Sequence, residues 1–312
     1  MIHFHNGDIV MALAKRSGID GEHISFRESL VTGRVVPDDA WIETRARTLA
    51  EAHEIDLLRV RTELLEQEQV LDAAAGKGEE IVLWFEHDLF CLVHLVYLLN
   101  RLRGARLSLV WCPEPLAHNE PRELHLLFDS RAAVTPMMSK LAADVWRAYT
   151  SADPLALNAF LERDMPDFPF LRDGLTLHAS RFPSTANGLG EIERRALTLL
   201  TTGAIDFATL FPQIDPAPPR FGFGDGEVLR QLRAIAWCAV PLVTIVESAD
   251  AQPPKALLTI TPAGENVVRG AVDALAVNDP DVWFGGTHLT KENLWRWDAN
   301  ARRIVASPSA AS

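Results

Sequence analysis

The chain has 312 residues, 48% hydrophobic and 23% charged, which is the composition of a globular protein long enough for two domains. The net charge is −12: residues 1–186 hold 19 basic and 28 acidic residues and residues 187–312 hold 11 and 14, so neither half has the basic excess of a DNA binder and strong DNA binding is not expected. No apolar run approaches the ~20 residues of a membrane span, and Cys91, Cys112 and Cys238 make no CxxC or zinc-ribbon spacing, so a cytoplasmic protein without disulfides or a membrane partner is expected.

The opening Ile2–Asn6 predicts a strand rather than a signal peptide, because no basic segment or small-residue cleavage site accompanies it. Asn6-Gly7-Asp8 is a tight turn, and Ile9–Arg16 has helical spacing up to Gly18. His23–Ser29 predicts a second strand and Thr32-Gly33 a turn. Residues 39–75 predict two charged helices. Glu80–Phe85 is a continuous apolar run, expected of a strand buried on both faces of a parallel sheet. Glu86-His87-Asp88 ends it, Leu89–Arg103 is an apolar helix, and Arg106–Cys112 is the next strand, stopped by Pro113 and Pro115. Strands alternating with helices predict an α/β domain with a Rossmann-like, mostly parallel sheet over residues 1–132.

Residues 133–189 read as a helical connector, with helices over Met137–Thr150, Pro154–Asp164 and Phe168–Phe182. Asn187-Gly188-Leu189-Gly190 is the expected boundary. Residues 190–312 follow as helix 191–202, a second helix capped by Asp206, a third over 226–237 capped by Asp225, strands 241–246 and 256–260 around a polar tip, and a last helix over Pro262–Ala276 opened by Thr261. That order predicts a winged-helix-like domain. A Trp-rich hairpin around Trp283, Trp295 and Trp297 closes it, and disorder is expected over residues 306–312.

Several of these stretches carry a resemblance. Asn6-Gly7-Asp8, Arg27-Glu28-Ser29-Leu30-Val31-Thr32-Gly33 and, most specifically, Trp84-Phe85-Glu86-His87-Asp88-Leu89-Phe90 resemble a bacterial family known as domain of unknown function 1835 (DUF1835). Asn187-Gly188-Leu189, Gly286-Thr287-His288-Leu289 and Trp295-Arg296-Trp297-Asp298 extend the resemblance over nearly the whole chain. The family's usual continuation after Asp88-Leu89-Phe90 is an acid and a Gln, where this chain has Cys91 and Leu92. The resemblance implies an architecture and a set of positions, and no reaction or cofactor.

Ligands of a parallel α/β sheet sit beyond the carboxyl ends of its strands. Asn6, Gly7 and Asp8, the Arg27–Ser29 stretch, and Glu86, His87 and Asp88 all fall at such ends. Gly7 would let a ligand approach the backbone, and the following helix would offer its N–H groups to an anion. The expected ligand is therefore small and anionic, phosphate- or nucleotide-containing, held by Asn6, Gly7, Asp8, Thr32 and Gly33. Glu28, Glu86, His87 and Asp88 are the candidates for acid–base or metal-assisted hydrolase or transferase chemistry. Against this stands capping, since Asp8 and Asp88 also suit helix N-termini. Glu86 and His87 should point to opposite faces of one strand. His87, Cys91 and His94 lie at helical spacing and could ligate a metal, although a buried thiol and a core histidine fit that pattern too. The rival function is a non-enzymatic regulatory protein whose second half contacts a protein partner or nucleic acid. The charge of the third helix, with Arg230 and Arg233 beside Asp225 and Glu227, and its burial separate the two.

Overall fold

A computed structural model describes residues 1–37, 40–248 and 255–307. The elements in chain order are β1 (Ile2–His5), α1 (Asp8–Arg16), β2 (Glu22–Ser25), α2 (Trp41–His53), α3 (Leu57–Gly76), β3 (Ile81–Glu86), α4 (Leu89–Arg101), β4 (Leu107–Cys112), α5 (Pro121–Asp129), β5 (Ala132–Ala133) and α6 (Pro136–Tyr149). They continue as α7 (Asn158–Leu161), α8 (Leu171–Ala179), α9 (Glu191–Leu200), β6 (Ile205–Asp206), α10 (Phe207–Ile214), α11 (Asp225–Ala236), β7 (Val243–Ser248), β8 (Lys255–Ile260), α12 (Pro262–Val268), β9 (Val282–Phe284), β10 (Thr287–Leu289), β11 (Trp295–Asp298) and β12 (Arg303–Ala306). No helix among the described residues is long and apolar enough to cross a membrane.

The fold is mixed α/β. A five-stranded sheet has the order β2-β1-β3-β4-β5, parallel except for the antiparallel edge strand β5. Every residue of Ile81–Phe85 is buried because side chains alternate between two covered faces. Ile2, Phe4, Ile81, Leu83 and Phe85 point into the large core with α4 and α6. Val82 and Trp84 point the other way, into a smaller core with Val10 and Ala14 of α1 and Leu124 of α5. From β1 the chain runs through α1 to β2 on one side, and from β3 it runs through α4 to β4 on the other. The carboxyl ends of β1 and β3 therefore flank the point where the connections diverge, the place where such sheets open a crevice.

In the second half α9, α10 and α11 pack with a three-stranded antiparallel sheet of order β6-β8-β7. The large core is continuous from Ile2 to Ile304, so residues of both halves and of the connector share it. The backbone of the second half caps the first: Leu89 and Phe90 N–H donate to the carbonyls of Arg220 and Phe221.

Several expected boundaries shift. The second strand ends at Ser25 and not Ser29. Pro154–Asp164 resolves into a 3-10 turn (Pro154–Leu157) and the four-residue α7, and the third connector helix covers only Leu171–Ala179. Asp225 is the first residue of α11 and the N-cap is Gly224, whereas Asp206 and Thr261 cap their helices as expected. The last helix stops at Val268, followed by a separate 3-10 turn at Ala274–Ala276. The Trp-rich end forms two hairpins, β9–β10 and β11–β12, because Gly285 and Gly286 close the first tightly against Tyr149 and Thr150. Ala306 is in β12 rather than a tail; 308–312, and residues 249–254 of the expected polar tip, with Asp250, lie outside the described residues.

Candidate functional site

A cavity of about 660 Å³ opens at the carboxyl edge of the sheet. Asn6, Gly7 and Asp8 follow β1 into it, Arg27, Glu28 and Ser29 follow β2, and Phe223–Glu227 closes it from the second half. Two helices begin at this cavity with glycine N-caps and no capping side chain: α1 at Gly7 and α11 at Gly224. Each helix N-terminus carries partial positive charge and unsatisfied N–H groups. The N-terminus of α4 differs, because Asp88 and the carbonyls of Arg220 and Phe221 already occupy it.

The carboxylates of the cavity are mostly engaged. Asp8 accepts from Arg27 at 2.8 Å, and this hydrogen bond holds its carboxyl below the usual range. Glu227, buried, accepts from Thr32 Oγ1 at 2.8 Å, Arg230 at 2.7 Å and Gln231 at 2.7 Å. Glu28 is fully buried in an ion pair with Arg45 of α2, at 2.6 and 2.8 Å. Both its oxygens are occupied, so the structure gives it the role of anchoring the 28–34 loop rather than of a free acid or base. Phe26, Phe90 and Phe223 add apolar walls.

The other expected site residues are placed differently. Thr32 and Gly33 do not line the cavity: Thr32 is buried against Glu227, and Gly33 turns at φ +62 against Thr48. Glu86 and His87 diverge, as strand alternation requires. Glu86 accepts the Leu116 N–H at 2.8 Å, and burial raises its pKa. The His87 ring lies between Trp111 and Phe170, at centroid distances of 4.6 and 5.2 Å, with a buried Nε2 that has no partner. Burial lowers its pKa, so it is held neutral. Asp88 is the buried N-cap of α4, accepting Cys91 N–H at 2.7 Å, and burial raises its pKa well above the ordinary value.

The set His87, Cys91 and His94 does not assemble. The His94 Nε2 lone pair takes the Leu30 N–H at 3.3 Å, and burial lowers its pKa to about 3. Among the described residues Cys91 instead groups with Glu86 and Asp88, whose ligand atoms lie within 4.8 Å of one another.

His87 touches rings rather than the cavity, which leads to a prediction. His87→Ala should lose the two ring contacts, about 1–3 kcal/mol at ~0.5–1.5 kcal/mol each, and leave the binding of any cavity ligand unchanged. Urea unfolding and ligand titration of the variant check both; a lost ligand response with unchanged stability would return His87 to the site.

Two features escaped the sequence reading. The Gly222-Phe223-Gly224-Asp225-Gly226 segment supplies a whole wall, and its glycine density ahead of a helix was the available signal. His3, His5 and His23 form a buried cluster: His3 stacks on His23 at 4.4 Å, and His5 Nε2 lies 2.9 Å from His23 Nδ1. The period-two spacing of His3 and His5 put them on one face, shared with Trp84. A second cavity of about 360 Å³, in the second half, includes the buried Arg181, which donates to Val31 O at 2.8 Å and lies between the Phe223 and Phe284 rings. No protein-family model matches the chain, and no curated protein matches it.

Proposed function

We propose that the protein binds a small phosphate-containing ligand, of nucleotide type, at the carboxyl edge of the sheet. The observation that carries this reading is the pair of glycine-capped helix N-termini, α1 and α11, opening on one cavity. An anion placed there gains from both partial charges and from first-turn backbone N–H groups; at α11 the Asp225 carboxylate takes the Gly226 N–H at 2.7 Å and would have to turn away. The acids around it suit hydroxyl groups of a sugar, and Phe90 and Phe223 suit a planar ring. Acid–base or metal-assisted transfer or hydrolysis at this edge belongs to the proposal, as does membership of the DUF1835 family.

The arrangement of α9, α10, α11 and the β6-β8-β7 sheet supports a winged-helix-like reading of the second half. We take it as a packing platform. Arg230 is paired with Glu227 and Arg233 with Glu247, and α11 begins against the first domain. A DNA-reading helix needs such cations free for phosphates, which disfavours the regulatory alternative.

The test is a thermal-shift and calorimetric titration with inorganic phosphate and with nucleoside mono-, di- and triphosphates. A ligand at 100 times its Kd should stabilise the fold by about 2.7 kcal/mol. Gly7→Asp should fold, because a Cβ there meets nothing within 4 Å and Asp is a favourable N-cap. It should weaken binding at least about tenfold, ~1.4 kcal/mol, by placing a carboxylate where the anion sits. No response across the panel, or equal binding by the variant, would refute the reading.

A further inference from the structure

We propose that Glu86, Asp88 and Cys91, with the Asn6 carboxamide as fourth ligand, form a divalent-cation site suited to zinc. The four residues come from the two strand ends that flank the divergence of the sheet: Asn6 after β1, Glu86 at the end of β3, Asp88 as the cap of α4 and Cys91 in its first turn. The ligand atoms of Glu86, Asp88 and Cys91 already lie within 4.8 Å of one another. Tetrahedral zinc, at ~2.0–2.3 Å from its O and S ligands, would draw them to about 3.5 Å apart.

Asn6 gives an independent sign. Its Nδ2 donates to Cys91 Sγ at 3.3 Å, and its Oδ1 is buried with no hydrogen-bond partner. A buried amide oxygen without a partner is costly; the Nδ2 end now faces Cys91, and turning the carboxamide over would bring Oδ1 to a cation beside it. Backbone N–H groups take one oxygen of each carboxylate, Glu86 Oε1 from Leu116 and Asp88 Oδ1 from Cys91, and a metal would replace the further hydrogen bonds that the Asn6 amide gives Glu86 and the Cys91 thiol gives Asp88. Among the described residues no ion pair involves Glu86 or Asp88. Burial pushes Glu86, Asp88 and Cys91 all upward in pKa, and repulsion from neighbouring carboxylates adds to it at Asp88 and Cys91; a dication reverses that cost. Gly222 packs over the site at φ +66, where a Cβ would fall 2.5 Å from the Asp88 carboxylate. The strap from the second half therefore closes over the cation.

Binding converts the Cys91 thiol to a thiolate, and the proton leaves to solvent. Oxygen and sulfur donors together favour zinc or cobalt over magnesium or calcium. This site does not depend on the phosphate reading, and its test uses the metal alone. Metal-free full-length protein is titrated with Co²⁺, with absorbance and proton release recorded. The expected result is a thiolate-to-cobalt charge-transfer band with one equivalent of metal. Cys91→Ser should abolish the band while circular dichroism shows the folded protein, and Cys112→Ser should retain it. Asn6→Ala should weaken cobalt binding at least about tenfold. Gly7→Asp, which removes the anion site, should bind cobalt normally, so the two proposals fail separately. Absence of the band in folded wild type, or a band that survives Cys91→Ser, overturns the site.

Discussion

Arg45→Ala should destabilise the protein by roughly 3–5 kcal/mol, the cost of leaving a buried charge without its partner. Arg45 and Glu28 are both fully buried, and the guanidinium also donates to the carbonyls of Ser29, Thr32 and Arg34 at 2.8–2.9 Å. One side chain thus fixes the whole loop that leaves β2 and walls the cavity. The measurement is urea unfolding at neutral pH. Replacing both partners by methionine should recover only part of the loss, because three carbonyls would still lack a donor. A change below about 1 kcal/mol in Arg45→Ala would mean that the pair behaves as a surface bridge and does not hold the loop.

The histidine cluster gives the second large effect. Burial lowers the pKa of His3 to about 4 and of His5 to about 2; the cationic form of His23, and of Lys15 beyond it, adds repulsion at His5. The unfolded chain takes up these protons near pH 6.5, while the folded protein refuses them. Each such histidine therefore contributes stability that is present above about pH 6.5 and is lost as pH falls toward its folded pKa. The slope is about 1.4 kcal/mol per pH unit per histidine. Buried acids with raised pKa, Asp88 and Glu193 among them, act in the opposite sense over the same range, so the net curve hides the effect. His5→Phe isolates it. The variant keeps a ring against Trp84 and titrates no proton there. Relative to wild type its stability should rise by about 2 kcal/mol as pH falls from 6.5 to 4.5. Parallel curves for the two proteins would show that His5 is hydrated in the native state.

Much of the candidate site was legible because it depends on local pattern. The apolar run Ile81–Phe85 announced a doubly covered strand, and three polar clusters at strand ends announced the edge where β1, β2 and β3 finish together. The divergence of Glu86 and His87 followed from the two-residue period of a strand. Arg45 was not legible. It sits in α2 among charged residues, Glu43 and Arg47, and only the approach of the 28–34 loop buries it. The strap from Gly222 to Glu227 lies more than 130 residues from β3 in sequence, so no window could join them.

By itself the sequence determined the alternation of strands and helices and the two covered faces of the strand Ile81–Phe85, because these follow from periodicity within a few residues. Tertiary structure decided which polar groups are buried and what each one meets. It closed the α4 N-terminus with the backbone of Arg220 and Phe221 but left those of α1 and α11 facing a cavity, and it gathered Cys91 with Glu86 and Asp88 instead of with His87 and His94. Those outcomes depend on desolvation and on contacts between distant segments. Both are set by packing the two halves around one core, and neither is encoded in any local stretch.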